Sequence, residues 1–403
     1  MSVKTNYSHT IYACYLGSVT QAIVNDFAPL LFLTFHGAYG ISLEKITLLI
    51  TINFMIQLMV DMAAAKFADK IGYRPLVVFA HALCALGMVG LGVLPEIFND
   101  PYLGLLAAVF CYAFGGGLLE VLTSPIVEAC PTEKKSAAMS LLHSFYCWGH
   151  VLVVVLSVAY FGAFGIHNWK YLAFLWALLP AANAFYFSAV PINSLTEHGK
   201  TDGIKKLFSM KMFWLFALMM VCSGAAEQAM SQWVSAFAES SLKVSKTVGD
   251  LAGPCVFAAA MGVSRVFYSK CSEKIDLKFY MTASGILSVV SYLLASLSPY
   301  PALAFVGCGL CGLAAGIMWP GTFSLAAVEC PGGGTAMFAL LALGGDLGCS
   351  LGPTVVGFVT GSAANGLKTG FVAACAFPVM LVACILLLRK ASVKQRDIPP
   401  PAV

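Results

Sequence analysis

The acids in this sequence that could do chemistry lie where acids are costly. Glu120 sits in the middle of an apolar run, Asp26 follows Asn25 in the first apolar stretch, and Asp346 stands among glycines. A charged side chain at the centre of a bilayer costs about 2.5–3.5 kcal/mol on insertion scales, so each of these is a functional candidate. Low dielectric disfavours the ionised carboxyl, and a carboxyl that takes up and gives off a proton there can carry it across. Glu120 is the first candidate for the proton carrier. Asp26 is the group expected to link protonation to substrate binding, with the reverse assignment open. His143 and His150 titrate near neutrality and come next.

The neutral polar residues fall on helix faces. Gln21 and Asn25 are four apart; Asn53, Gln57 and Asp61 stand at i, i+4 and i+8, as do Glu120, Ser124 and Glu128. His143, Tyr146 and His150 stand at i, i+3 and i+7; Glu227, Gln228, Ser231, Gln232 and Trp233 cluster; Trp319 precedes Pro320. Residues at these spacings share one side of an α-helix. Lipid cannot satisfy such faces, so they must meet one another or water. A hydrated cavity lined by Gln21, Asn25, His143, Tyr146, His150, Gln228, Gln232 and Trp319 accounts for them together. Amides fork to hydroxyl pairs and rings stack on C–H faces, which suits a small neutral polyol. The competing reading is hydrogen bonding between helices, which fits Gln57, Asp61 and Asn183 equally well.

These faces must be positioned by membrane-spanning helices. The chain of 403 residues is 59% hydrophobic and only 10% charged, with mean hydropathy +0.84. A soluble domain carries about 25% charged residues, so this one cannot cover a water-facing surface. The net charge of +4 is scattered through short loops, which excludes a nucleic-acid patch. The 14 cysteines lie mostly in apolar runs and read as small packing residues. Cys308 and Cys311 have no second pair or nearby histidine, so no metal and no cofactor is expected. The polar start leads into a first spanning helix rather than a cleaved signal.

Apolar stretches long enough to span predict twelve helices: 10–33, 46–67, 74–94, 102–129, 136–162, 169–190, 211–236, 248–269, 277–297, 301–328, 335–360 and 368–389. Breaks are expected at Pro95, Pro101, Pro131, Pro191 and Pro299 to Pro301. The fold class is an all-α membrane protein. Six-helix bundles over 1–190 and 211–390 flank a linker at 191–210, with a tail at 391–403. Segment 111–150 is echoed by 308–353, and Glu128-Ala129-Cys130-Pro131 by Val328-Glu329-Cys330-Pro331. That repeat suggests a transporter built of two related halves. With the N-terminus inside, 17 of the 23 Lys and Arg residues fall in inner loops and tails, five in outer loops, and Arg265 lies within a helix. Both termini and the linker are therefore expected in the cytoplasm, with the chain multi-pass in a cytoplasmic (inner) membrane.

Two six-helix halves with a cytoplasmic middle loop resemble the major facilitator superfamily. So does the loop Ala65-Lys66-Phe67-Ala68-Asp69-Lys70-Ile71-Gly72-Tyr73-Arg74, which is similar to that superfamily's GxxxD[RK]xG[RK][RK] pattern. Ala65 and Tyr73 depart from it. The likeness implies that Asp69, Lys70, Gly72 and Arg74 gate the transporter; Ser272 to Asp276 is a poor copy in the second half. Asn25-Asp26 in helix 1, with Gly116 to Glu120 and Ser124-Pro125 in helix 4, resembles the fucose–galactose–glucose:proton symporter family. That family has an Asn-Asp pair and a Gly-x-x-Glu-x-x-x-Asn-Pro pattern there. The resemblance implies proton coupling and sugar binding at Asp26 and Glu120, and a monomer. Ser124 replaces the family's Asn, and His143 and Tyr146 stand where helix 5 usually has Gln and Asn.

The expected partners are a small sugar-like molecule, protons and the bilayer. The alternatives are an efflux or antiport protein of the same fold, with GxxxGP present only at Gly348 to Pro353, or a non-transporting nutrient sensor. An intramembrane enzyme is disfavoured: Leu343 breaks a GxGD pattern before Asp346, and no HExxH occurs. The charge distribution makes a direct prediction. Single cysteines at Lys200 and Lys243, in a cysteine-depleted background, should be labelled from inside and outside the cell respectively. Labelling of position 200 from outside intact cells would overturn the orientation.

Overall fold

The computed structural model describes residues 3–132, 135–193, 204–271, 275–330, 334–362 and 366–396, without the side chains of Ala65, Lys66, Asp69 and some others at these edges. Every described regular element is a helix. Among the described residues, twelve helices have the length and hydropathy to span a bilayer. They are α1 (Tyr7–Tyr39), α2 (Leu43–Ile71), α3 (Tyr73–Ile97), α4 (Pro101–Glu128), α5 (Lys135–Phe164) and α6 (Trp169–Ala189). After a short linker helix, Ile204–Ser209, come α7 (Lys211–Ser240), α8 (Lys246–Tyr268), α9 (Leu277–Leu297), α10 (Pro301–Glu329), α11 (Gly334–Ser362) and α12 (Leu367–Lys390). Even the 21 residues of α9 reach about 31 Å at the helical rise, the thickness of a hydrocarbon core. The face where α1 begins is called the terminal face below, and the opposite one the far face.

The predicted spans differ from these helices mainly at their ends, because polar caps and one or two polar turns project past the apolar run. Asn6, Ser42, Asp100, Ser245 and Asp276 each accept a backbone N–H at a helix start. The break expected at Pro95 is absent. α3 runs through it to Ile97, because a single lost backbone bond near a helix end is tolerated. Pro29 does interrupt α1, as a short 3₁₀ turn over Ala28–Leu31. In the predicted repeat, Cys130 and Cys330 both lie just past the ends of α4 and α10, each 1% exposed, Cys330 as the cap itself and Cys130 one residue beyond the cap Ala129.

Each half is held by its own helix contacts: α3 on α4 and α6, α1 on α5 and α4, then α7 on α11 and α10, and α9 on α10 and α12. The halves meet mainly through two pairs, α2 with α11 and α5 with α8, which the pseudo-symmetry exchanges, and α1 also touches α7 and α8. Small residues permit the close approaches, as expected where packing replaces the hydrophobic effect. A methyl group on Gly348 of α11 would come within 2.0 Å of the Val221 carbonyl of α7. The N-terminal half is also pinned by a polar knot. His81 Nδ1 meets the Val77 carbonyl at 2.8 Å and its Nε2 meets Asn183 Nδ2 at 2.8 Å, while Asn183 donates to the Ala13 carbonyl at 3.0 Å. Asn183 is thus bonded between helices.

In the loop after α2, Gly72 takes φ 96°, which only glycine adopts easily, and its N–H caps Ala68 at 2.8 Å. Arg74 donates to the carbonyls of Phe187 and Ser188, at 2.9 and 3.0 Å, at the last turn of α6. Lys70 is exposed. The Asp69 side chain, and Lys134, Lys200 and Ser272 to Lys274, lie outside the described residues. Overpacking a tight contact costs about 1–3 kcal/mol, so Gly348→Ala should lower the melting temperature and the yield of folded protein. Gly37→Ala, with nothing within 4 Å, should leave both at the parent level. Equal stability of the two variants would contradict the close α7–α11 packing.

Candidate substrate and proton site

Asn25 and Asp26 end the first part of α1, just before the Pro29 interruption. Pro29 has no N–H to give the Asn25 carbonyl four residues back. Gln232 of α7 supplies the missing donor, Nε2 to the Asn25 carbonyl at 3.2 Å, and also donates to Gln228 at 3.2 Å. The break in one half is thereby closed by a side chain of the other. The Asn25 amide oxygen accepts from Gln57 at 2.9 Å and Asn53 at 3.4 Å, both on α2. This explains the polar stripe on α2: two of its amides are spent on Asn25.

The acids lie around this amide array. Asp26 is 2% exposed, 3.4 Å from His150 Nδ1, with the Tyr146 hydroxyl beside it. Gln21 donates to Glu120 at 2.8 Å. One oxygen each from Asp61, Glu120 and Asp346 gather within 4.8 Å of one another. Glu227 faces Arg265 at 3.9 Å, and Arg265 donates to the His143 carbonyl at 3.2 Å, joining α8 to α5. The His143 side chain itself is exposed. Trp319 packs closely against α11: a methyl on Gly345 would come within 2.2 Å of its ring.

The eight residues expected to line a cavity thus divide. Gln21, Asn25, Tyr146, His150, Gln228 and Gln232 meet one another or the buried acids, and Trp319 covers α11 next to Asp346. His143 joins the set through its backbone. Asp61, whose place on the α2 stripe fits a functional role and bonding between helices equally well, and Asp346, a candidate acid with no partner expected, are brought onto Glu120. Spacing signalled Asp61, on the α2 stripe; no spacing signal pointed Asp346 at Glu120, because the two are on different halves.

Between the halves the far side is shut. Thr51 and Thr354 hydroxyls meet at 2.5 Å, and a methyl on Gly357 would touch Thr47. Lys246 donates to the Leu30 carbonyl of α1 and pairs with Glu239 at 3.2 Å and Asp250 at 3.0 Å. Beneath this closure a cavity of about 20 Å³ beside Asn25, Asn53 and Gln232 has room for about one water. Removing the Lys246 ammonium leaves two acids without their cation and breaks the latch to α1. In Lys246→Ala, a cysteine placed at the buried Ala28 should react several-fold faster with an impermeant thiol reagent added to the far face. An unchanged rate would show that Lys246 does not hold this side closed.

The chain matches the model of the Major Facilitator Superfamily over residues 13–353. It is similar in structure to a bacterial homologue of the human lysosomal transporter Spinster. In the inward-facing and occupied conformation of that homologue, the TM-score is 0.78 at 15% identity, covering 99% of this chain and 100% of that one. It is also similar to FucP in the outward conformation, with TM-score 0.64 at 15% identity over 94% of this chain and 98% of that one. A single-substitution variant of the Escherichia coli fucose:proton symporter FucP gives 0.64 at 14% identity, over 96% and 99%. No curated protein sequence matches significantly.

Proposed function

The chain belongs to the Major Facilitator Superfamily, and on that premise we propose that it is a proton-coupled symporter of a sugar or similar small neutral polyol, working by alternating access. The observation that carries the reading is the amide array of Asn25, Asn53, Gln57, Gln228 and Gln232, contributed by both halves and set beside buried carboxyls. When the halves separate, these amides lose their mutual bonds and can fork to vicinal hydroxyls instead. Gln21, Tyr146, His150 and the Trp319 ring complete the binding set, with His143 at the α5–α8 contact. Exchange of amide–amide for amide–hydroxyl bonds keeps a buried polar site satisfied in both states.

The carboxyls suit proton coupling. Asp26 and Glu120 have imidazole and amide neighbours but no Lys or Arg pairing with them among the described residues. Crossing as neutral acids, they spare the halves from moving a bare charge while they rock. Glu120 is assigned as the proton carrier and Asp26 as the link to substrate. The basic-residue bias assigns the terminal face to the cytoplasm, with Lys70, Gly72, Arg74 and Asp69 at the gate on that face. A monomer is sufficient, since both halves of the site come from one chain.

The surplus of acids supports one other reading, exchange of a cationic substrate for protons by the same fold. Both are tested in proteoliposomes with labelled hexoses and a labelled organic cation, under proton gradients of either direction. Symport predicts hexose accumulation driven by an inward proton gradient and collapsed by a protonophore; cation uptake driven by the opposite gradient would replace it. Glu120→Gln should lose accumulation but keep counterflow, because Gln mimics the neutral acid. Asp26→Asn should also impair net transport, with a larger loss of affinity. Wild-type accumulation in Glu120→Gln would make the carrier assignment wrong and turn attention to His143 and His150.

A further inference from the structure

Two acids inside the bundle have no role in that proposal, Asp61 and Asp346. They face each other across the contact between the two halves, Asp61 on α2 and Asp346 on α11, with Glu120 of α4 as the third member. Two of the three acids are buried, Asp61 at 6% and Asp346 at 7% exposure, and Glu120 is half-buried. The Asp61 Oδ1 atom has no hydrogen-bond partner in the protein, so a buried acceptor in the group is open to a ligand. Beyond the contact of Asp61 with Asp346, the donor that serves these carboxyls is Gln21 Nε2, on Glu120. Among the described residues no basic side chain pairs with any of the three; Arg265 is taken by Glu227 and the His143 carbonyl.

Three carboxylates packed this closely repel strongly, and like charges at such a distance cannot all ionise. They can touch only with positive charge added. A calcium or magnesium ion takes about six to eight oxygens, waters often among them; here two of the three carboxyls are buried and the amide bonded to Glu120, Gln21, presents an N–H, not a carbonyl. A proton needs only two facing oxygens. We propose that Asp61, Asp346 and Glu120 form a single proton site shared between the halves, in which a proton held between Asp61 and Asp346 keeps α2 against α11. The inference rests on the proton-coupled reading above and adds the group through which a proton acts on the halves.

The geometry gives the direction of the effect. Outward of the site, toward the far face, α2 and α11 are tightly joined at Thr51–Thr354 and Thr47–Gly357. Loss of the proton therefore separates the two helices toward the terminal face, with the tight contacts as pivot. The surrounding titratable and charged groups are Glu227 on α7 and Cys349 on α11, which interact with the cluster, Asp26, Tyr146 and His150 beyond the amides, and the Arg265–Glu227 pair. None is a cation placed to substitute for the proton.

The test needs no substrate. Spin labels at Ile71→Cys on α2 and Ala339→Cys on α11, both exposed toward the terminal face, report the separation in the cysteine-depleted full chain by double electron–electron resonance. In lipid nanodiscs containing potassium as the only metal cation, the distance should lengthen by several ångströms as pH rises from about 5.5 to 8.5. Asp61→Asn and Asp346→Asn should each flatten that response, because a neutral amide replaces the proton-bearing acid at the same size. A pH-independent distance in the parent would overturn the proposal, and that readout stands whether or not the variants fold. A response unchanged in both variants would overturn it too, as would a shift at fixed pH on adding sodium or calcium. A chain that fails here yet accumulates hexose with protons keeps the transport reading and loses only this site.

Discussion

The structure is governed by the cost of keeping unpaired carboxylates out of water. Asp26, Asp61, Glu120, Glu227 and Asp346 all lie in the interior of the bundle, and Arg265 is the only guanidinium that pairs with one of them among the described residues. Burying an isolated ionised carboxylate is prohibitive unless it is neutralised or paired. The rest of the architecture follows from that imbalance. The acids are kept off the lipid, gathered where the halves meet, and surrounded by amides that can donate to either protonation form.

The amides also set the mechanical problem. Asn25 is tied to α2 through Gln57 and Asn53 and to α7 through Gln232, so the central polar site and the contact between halves share the same atoms. A ligand that bonds to those amides competes with the contact that closes the site. That is how a small molecule can gain a differential affinity for two states of the bundle, which is what a conformational change requires. By contrast, His81 with Asn183 and Tyr292, whose hydroxyl donates to the Ala226 carbonyl at 2.7 Å, bond inside one half. They brace each half internally.

Much of this was legible in the sequence because membrane helices announce themselves by length, charge exclusion and the proline and glycine punctuation between them. All twelve spans were expected, and the pairing of Cys130-Pro131 with Cys330-Pro331 anticipated the two halves. Helix-face spacing placed Gln57 and Asp61 on one stripe, and both point into the interior. Spacing works only within a helix, however. It could not show that Asp346 meets Asp61 and Glu120, that Gln232 reaches the carbonyl freed by Pro29, or that Trp319 lies on Gly345, since each contact joins different helices. Nor could it separate Asn183, which bonds between helices, from amides at the centre; both are single polar residues in apolar runs. Pro95 misled because the rule that proline ends helices is weak in the last turn.

The central claim is that proton movement and solute movement are one event in this protein. The most direct measurement is the charge displaced when hexose is jumped onto proteoliposomes adsorbed to a capacitive membrane, with sodium absent. Symport of a neutral solute with a proton predicts a transient current carrying positive charge inward, which grows with external acidity and vanishes with a sugar that does not bind. Uptake of the same hexose with no current at any pH would contradict the account.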